Sequence, residues 1–281
     1  MIRRRFVAPT VDPLPLQIET IGISDQEAIN RQNGYPCYHW LQTLEGEGEF
    51  HTLGTTWRLP ERTGVLLYPN IPHSYQAKTS RWCTAYLTFE GSLADQCATT
   101  LFGHAASDKF QWERSDDKLA RQLVRMLELA ESGEDPSGWN NSAELYRFLT
   151  LLKTNGANSQ LPSLSKRLER VQQLLVWLDK EYANPDVGLA EMAAQLQIGT
   201  RQLNERFKES FGQSAYAYLI QLRLRKAKEW LPARPDMSVR QIGEAVGFRD
   251  ASHFIATFRQ KEGMTPEKYR RLHGPSLALG R

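Results

Sequence analysis

The chain changes its hydrophobic rhythm more than once. From about residue 36 to 90, short apolar bursts alternate with turn residues: Tyr38-His39-Trp40-Leu41-Gln42, Gly64-Val65-Leu66-Leu67-Tyr68-Pro69, and Trp82 through Phe89. That spacing predicts a small antiparallel barrel or sandwich. Along 82–89 a period of two puts Cys83, Ala85, Leu87 and Phe89 on one face and Trp82, Thr84, Tyr86 and Thr88 on the other. The first set is core. The second suits either the lining of a polar ligand cavity or a solvated sheet face made of β-formers.

The period then becomes helical. Leu119, Leu123, Met126, Leu127 and Ala130 make one stripe, and Leu145, Phe148, Leu149 and Leu152 another, with Gly133 to Gly138 as the break. Both helices can cover the barrel, or the second can offer its leucines to a partner subunit as a short antiparallel helix pair. Thr154 to Ser165, containing Asn155-Gly156-Ala157-Asn158-Ser159-Gln160, reads as a flexible linker. Helical spacing resumes at Leu168, Val171, Leu174, Leu175 and Leu178.

The last third repeats itself. Leu189-Ala190-Glu191-Met192-Ala193 corresponds to Val239-Arg240-Gln241-Ile242-Gly243 at an offset of about 50. Leu203, Phe207, Gly212, Ser214 and Tyr218 correspond to Phe254, Phe258, Gly263, Thr265 and Tyr269 at about 51, so the second copy carries one extra turn residue. Each copy reads as helix, tight turn, helix, with Gln197 to Thr200 and Gly247 to Asp250 as the turns. Gly212 and Gly263 are C-terminal caps, and Thr265-Pro266 is an N-cap followed by Pro at the first helical position. This is the helix-turn-helix arrangement, whose second helix enters the major groove. Ala215 to Leu231 should be one connecting helix stopped by Pro232, its stripe Ile220, Leu224, Ala227 and Leu231, with Arg223, Arg225, Lys226 and Lys228 pointing elsewhere, mostly to solvent. Seventeen residues span roughly 25 Å, which brings the two recognition helices near one DNA turn, roughly 34 Å, apart.

Charge divides where the rhythm does. Residues 164–281 hold 20 Lys and Arg against 13 Asp and Glu, while residues 1–163 hold 15 against 19. Only the second half is suited to a polyanion. Cys37, Cys83 and Cys97 have no metal-ligand spacing and cannot all pair, which suits a reducing compartment. Pro9, Pro13 and Pro15 interrupt any signal-like apolar run after Arg3-Arg4-Arg5, and no stretch has the length of a membrane span. A cytoplasmic protein is expected.

With Leu203 and Phe207 inward, the first recognition helix shows Arg201, Asn204, Glu205 and Lys208. Arg forks onto guanine, Asn onto adenine, Glu accepts from cytosine, and Lys suits a phosphate. Glu205 can instead pair with Arg201 or Lys208. The second helix shows Ser252, His253, Ala256 and Arg259, a poorer set in which His253 is either a DNA contact or only a helix-start residue. Copy one should therefore supply most base discrimination, and copy two mostly position the protein.

Residues from about 165 to 273 resemble the DNA-binding domain of the AraC/XylS (arabinose-regulator) family. The resemblance is carried by Ile242-Gly243-Glu244-Ala245-Val246-Gly247-Phe248, Ser252-His253-Phe254, Phe258-Arg259, Gly263-Met264-Thr265-Pro266 and Tyr269-Arg270. In that family the positions matching Arg201, Asn204 and Glu205 commonly face bases. The first domain is similar to the cupin-like effector domain of sugar-responsive members, through Arg31-Gln32-Asn33-Gly34, Leu44-Glu45-Gly46-Glu47-Gly48, Tyr68 to Tyr75 and Trp82 to Gly91. The resemblance puts Arg31, Tyr75, Thr84 and Tyr86 at or beside effector-contacting positions, and an Arg fork with aromatic faces and hydroxyls is sensible chemistry for a polyol. It also implies an N-terminal arm of about residues 1–18, whose Arg3, Arg4 and Arg5 would touch the acidic domain or the DNA.

Cupin barrels also serve metal enzymes, which need clustered His and carboxylate ligands. Here His39, His51 and His73 are isolated in sequence, and His73 reads as a turn or pocket wall. There is no nucleophile elbow and no phosphate-binding glycine loop. Glu45, Glu47 and Glu49 read as a solvated edge.

The expected fold is α+β and multi-domain: a cupin-like β-barrel with two helices over residues 1–153, a linker over 154–165, and an all-α tandem helix-turn-helix domain over 166–275, its units at about 189–210 and 239–261. The expected function is effector-responsive, sequence-specific transcription regulation, read as activation, with no cofactor, metal or catalysis. Expected partners are double-stranded promoter DNA, a sugar-like small molecule, RNA polymerase and a second copy of the chain; no membrane is expected. The alternative is a regulator whose first domain only dimerises or contacts the polymerase.

Overall fold

A computed structural model of the chain describes residues 3–6, 13–25, 28–103, 106–113, 117–158 and 162–274. By its contacts the chain divides into two units, residues 1–165 and 166–281.

In the first unit the described residues form β1 (Arg3–Phe6), β2 (Gln17–Asp25), β3 (Ile29–Arg31), β4 (Tyr38–Thr52), β5 (Thr55–Pro60), β6 (Thr63–Leu67), β7 (His73–Glu90) and β8 (Ser107–Gln111). They make one antiparallel sheet in the order β1-β2-β7-β4-β6-β8, with β3 added to β7 and β5 to β4. β7 begins at His73, well before the strand that the alternation from Trp82 suggests. Its register against β4 shifts between Thr43 and Glu45 and again between Gly46 and Gly48, and such irregularities bend a strand. Gly48 is needed there: a Cβ would stand 2.2 Å from Cζ2 of Trp82, whose indole lies against the bare backbone.

From Trp82 to Phe89 both faces of β7 are covered, while Lys78 to Arg81 are exposed. Trp82 and Tyr86 belong to an inner cluster with Leu41, Phe50, Leu59 and Tyr75. Ala85, Leu87 and Phe89 pack on the other side, toward the helices. Thr84 and Thr88 are also buried, so the solvated-face alternative for Trp82, Thr84, Tyr86 and Thr88 falls.

The helices of this unit are α1 (Ala94–Phe102), α2 (Lys118–Ser132) and α3 (Trp139–Asn155). Leu145, Phe148, Leu149 and Leu152 on α3 are fully buried in the same core as Trp40 and Leu87. Of the two readings of this stripe, the structure takes the first: the leucines cover the chain's own sheet and are not free for a partner helix. What α3 turns outward is Trp139, 60% exposed, and Tyr146, 53% exposed. Beyond α3, Ala157 and Gln111 exchange two backbone hydrogen bonds of 2.8 Å, tying the first residues of the expected linker to β8. Linker residues 159–161 and arm residues 7–12 lie outside the described residues. The arm's Arg3–Phe6 segment is β1, paired with β2 from Arg3↔Ile23 to Phe6↔Thr20.

The second unit consists of α4 (Leu164–Glu181), α5 (Leu189–Gln195), α6 (Thr200–Phe211), α7 (Ala215–Ala233), α8 (Val239–Ala245), α9 (Ala251–Glu262) and α10 (Pro266–His273). The two copies match in their terminators. Gly212 and Gly263 take φ of 70° and 72°, and their N–H groups donate to Lys208 and Arg259 carbonyls. Ser214 and Thr265 each accept from the backbone N–H three residues on. At the turns, Gln197 in copy one holds φ +54°, where copy two has Gly247 at +95°. The extra residue of copy two is Arg249, between Phe248, the counterpart of Ile198, and Asp250, the N-cap of α9.

Each copy has its own core. Met192, Ala193, Leu203 and Phe207 pack with α4 and with Ala215, Leu219 and Leu222 of α7. Ile242, Val246, Phe254 and Phe258 pack with Ile220, Leu224, Ala227 and Leu231 of the same helix. α7 runs two residues beyond Leu231, correcting the expected stop: Pro232 sits in the last turn, and Arg234 N–H closes it onto the Trp230 carbonyl at 2.8 Å. A proline in that turn forfeits one backbone bond without breaking the body of the helix.

Candidate nucleic-acid interface and ligand site

On α6, Leu203 and Phe207 are fully buried, which turns Arg201, Glu205 and Lys208 outward. The Arg201 side chain is 93% exposed and donates from Nε to Glu205 Oε1 at 3.0 Å. Two of the predicted base readers thus pair with each other one helical turn apart. Asn204 is half-buried, and its Oδ1 accepts from the Ala215 N–H at 3.1 Å. Part of this amide is spent capping α7, a role that spacing along α6 alone does not reveal.

On α9, Phe254 and Phe258 face inward, while Ser252, His253, Ala256 and Arg259 are exposed. The His253 ring lies edge-on to Phe248 at 5.6 Å, and the backbone N–H of His253 donates to the Asp250 carboxylate at 2.9 Å. Accepting from that backbone holds the Asp250 carboxyl below its ordinary range. His253 therefore does fill a helix-start position, whatever it contacts from outside.

Arg223 needs correction. Instead of pointing to solvent, it is 4% exposed. Its Nε donates to the Tyr182 carbonyl at 2.8 Å, and its Nη2 to the carbonyls of Asn184 at 2.8 Å and Val187 at 3.4 Å.

In the first unit, the register brings Arg31 opposite His73 and Ile29 opposite Tyr75 on β3–β7, and Phe50 opposite Tyr75 and Leu41 opposite Tyr86 on β4–β7. Tyr75 and Tyr86 share the inner cluster. Arg31 lies 4.4 Å above the Tyr35 ring and 3.5 Å from His39 Nδ1. Thr84 is fully buried beside them in sequence, but its hydroxyl goes to the Ser24 carbonyl at 3.4 Å.

Sequence spacing missed the rest of this site. His39 and His73, far apart along the chain, lie with ring centroids 5.5 Å apart, and His73 stacks on Phe50 at 5.7 Å and Tyr75 at 6.2 Å. Burial, Arg31 and the other histidine hold His39 well below its ordinary range. Burial also lowers His73. With His73 Nδ1–H donating to the Ile71 carbonyl at 2.8 Å, Nε2 is left as a bare acceptor, and it is buried without a hydrogen-bond partner. Nearby, Glu19 Oε2 accepts from Tyr35 OH at 2.8 Å and Thr88 OH at 2.6 Å. Burial and that carboxylate push the Tyr35 phenol up to about 12. Among the described residues no group of three or more His, Cys, Asp or Glu is placed to hold a metal ion. The glutamates of β4 lie in ion pairs, Glu47 with Arg58 at 2.5 Å and Glu49 with Lys78 at 3.0 Å.

Comparison with known proteins agrees with this division. A family model described as an AraC-like ligand binding domain matches residues 21–149, and one described as a helix-turn-helix domain matches residues 192–272. The HTH-type transcriptional activator RhaS of Escherichia fergusonii is 32% identical over 157 residues, 56% of this chain and 55% of that protein. The chain spans about half the length of the curated relatives it matches. Among solved structures, the C-terminal domain of the two-component response regulator yesN from Fusobacterium nucleatum is 28% identical over 36% of this chain and 98% of its own, with a TM-score of 0.35. ToxT from Vibrio cholerae is 11% identical over 92% of this chain and 98% of its own, also with a TM-score of 0.35. Scores that low add no weight. The two family matches, falling one on the sheet domain and one on the duplicated helical domain, show that this chain belongs to the AraC family, with a ligand-binding domain ahead of its helix-turn-helix domain.

Proposed function

We propose that the chain is a non-catalytic, DNA-binding transcription regulator, an activator that responds to a sugar or sugar-like polyol. The observation that carries the first part is the pair of helix-turn-helix copies, matched in terminators and sharing α7, each with an inward apolar and an outward polar face. The RhaS relative is a transcriptional activator, which supports the direction of regulation.

In this reading Arg201 exchanges Glu205 for a guanine edge, a bidentate contact that discriminates between bases, while Lys208 meets a phosphate. Asn204 holds α6 to the start of α7 and offers at most its amide nitrogen to a base. Ser252, His253 and Arg259 place α9 on the backbone or bases of the neighbouring groove window. The domain spans proposed for these roles are residues 1–153 for effector and dimer contacts and 166–275 for DNA.

The polyol reading rests on the chemistry of Arg31, Tyr75, Tyr86 and the bare His73 Nε2. A cation with several donors beside a neutral acceptor suits a molecule rich in hydroxyls, which both donate and accept. Thr84 contributes shape more than hydrogen bonding. To regulate, the effector must bind one arrangement of the chain better than another, since equal affinity shifts nothing. A homodimer would use the outward Trp139 and Tyr146 of α3 rather than the buried leucines. RNA polymerase is the further partner. Among the described residues no helix is long and apolar enough to cross a membrane; we place the protein in the cytoplasm with the promoter.

Fluorescence anisotropy with duplexes selected from a random pool tests the DNA half, and calorimetry against a sugar panel tests the effector half. Heat from one sugar, lost in Arg31→Ala and His73→Ala, is the expected result. No heat from any sugar would leave the first domain as a dimerisation or polymerase-contacting module.

A further inference from the structure

The two helix-turn-helix copies bury their apolar side chains in separate cores. Besides α7, the side chain that packs against both, among the described residues, is Tyr182. A shared helix fixes the distance between the copies but leaves each free to rock about it. Something polar spans the gap.

Arg223 leaves α7 at a buried position and ties together the carbonyls of Tyr182, Asn184 and Val187, the loop that leads into copy one. Directly over it sits the turn of copy two: a Cβ on Gly247 would stand 2.3 Å from the Tyr182 carbonyl oxygen and 2.8 Å from Arg223 Nε. The turn of copy two therefore rests on the guanidinium that organises the entrance to copy one. A second tie lies outside it. Arg249, the residue copy one lacks, donates to the Pro185 carbonyl at 3.1 Å and to Asp186 Oδ1 at 2.6 Å. Arg223, Arg249, Gly247 and Asp186 line one cleft of about 260 Å³ between the copies.

We propose that this clasp, Arg223 beneath Gly247 and Arg249 across to Asp186, holds the two recognition helices at one angle and so selects the spacing between the two DNA windows they read. The extra turn residue in copy two is then a specificity determinant that acts without touching a base. The inference rests on the DNA-binding reading. A base pair inserted between the windows shifts the second by roughly 3.4 Å and turns it by about 35°. A rigid pair of copies resists that change; a rocking pair follows it.

The test uses the full chain and a duplex selected by the wild-type protein, in its native form, with one base pair inserted between the windows, and with one window scrambled. Arg249→Ala should leave affinity for the one-window duplex unchanged. It should narrow the preference for native spacing about two- to fivefold, the factor expected of one exposed ion pair. The exchanged pair Asp186→Arg with Arg249→Asp should restore part of that preference. Arg223→Lys keeps the charge but cannot serve three carbonyls, and should narrow it further; its circular dichroism reports whether it folds. Three results would overturn the proposal. In one, Arg249→Ala weakens all three duplexes alike with a salt slope smaller by about 1, marking Arg249 as a phosphate contact. In another, spacing preference is unchanged in both Arg249→Ala and folded Arg223→Lys. In the last, the wild-type chain binds no duplex, and the functional reading falls with it.

Discussion

Copy one and copy two solve the same crossing differently, and exchanging the solutions measures how deep the repeat goes. In copy two the close approach of α8 and α9 pairs Gly243 with Phe254; in copy one the matching pair is Ala193 with Leu203. A Cβ on Gly243 would stand 2.7 Å from Phe254 Cδ1 and 2.9 Å from Cγ. The ring has little room to retreat, being fully buried with Phe248 at 5.1 Å and Phe258 at 5.8 Å. Gly243→Ala therefore overpacks the core at a cost of about 1–3 kcal/mol. Phe254→Leu alone leaves a void worth about 1–2 kcal/mol, less than full truncation to Ala. Together they rebuild the pair copy one already uses, so the costs should cancel in part, with a coupling of about 1 kcal/mol or more. Because the chain has two units, a single melting curve does not isolate this effect. Amide exchange over α9 does, with about a tenfold faster rate for each 1.4 kcal/mol lost. The double variant should exchange more slowly than Gly243→Ala. Costs that simply add would refute the claim that the two copies are interchangeable packings of one unit.

Three further outcomes are expected. Arg201→Ala should lose about 1–3 kcal/mol of specific DNA binding and relax preference at one base position, while Arg259→Ala should weaken binding to all sequences alike; greater relaxation from Arg259→Ala in a selection assay would reverse the assignment. Burial holds His39 and His73 below their ordinary 6.5 in the folded protein, so the unfolded chain takes up protons that the folded one refuses. Stability of the first domain is thus complete above pH 6.5 and is lost as pH falls below it towards the folded values, a loss that His39→Gln should reduce and that an unchanged pH slope would deny. Tyr146→Lys should abolish dimers in sedimentation without unfolding the protein, whereas Leu149→Lys should unfold the first domain; a Tyr146→Lys dimer would show that α3 is not the contact.

The helix-turn-helix half was legible because its signals are local. Apolar spacing, terminating glycines and caps recur within one or two turns, so Leu203 and Phe207, or Gly263 and Thr265, announce their roles without a tertiary partner. What escaped the sequence depends on partners brought from elsewhere. Arg223 reads as one more basic residue on a solvated helix until the loop carbonyls of Tyr182, Asn184 and Val187 close around it. Asn204 reads as a base contact until the α7 N-terminus arrives at its amide. The leucines of α3 fit a partner helix as well as the chain's own sheet, because periodicity gives a buried face but not what buries it. His39 and His73 meet only through pairing of distant strands, and alternation along β7 gave two faces without showing that both would be covered.

Salt dependence of duplex binding by the full chain tests the central claim most directly. Two recognition helices seated on consecutive groove windows, with Arg and Lys on phosphates, predict log affinity falling linearly with log salt at about −0.9 per phosphate neutralised. The slope should be close to twice as steep on a two-window duplex as on one whose second window is removed. Equal slopes on the two duplexes would contradict a grip by both copies.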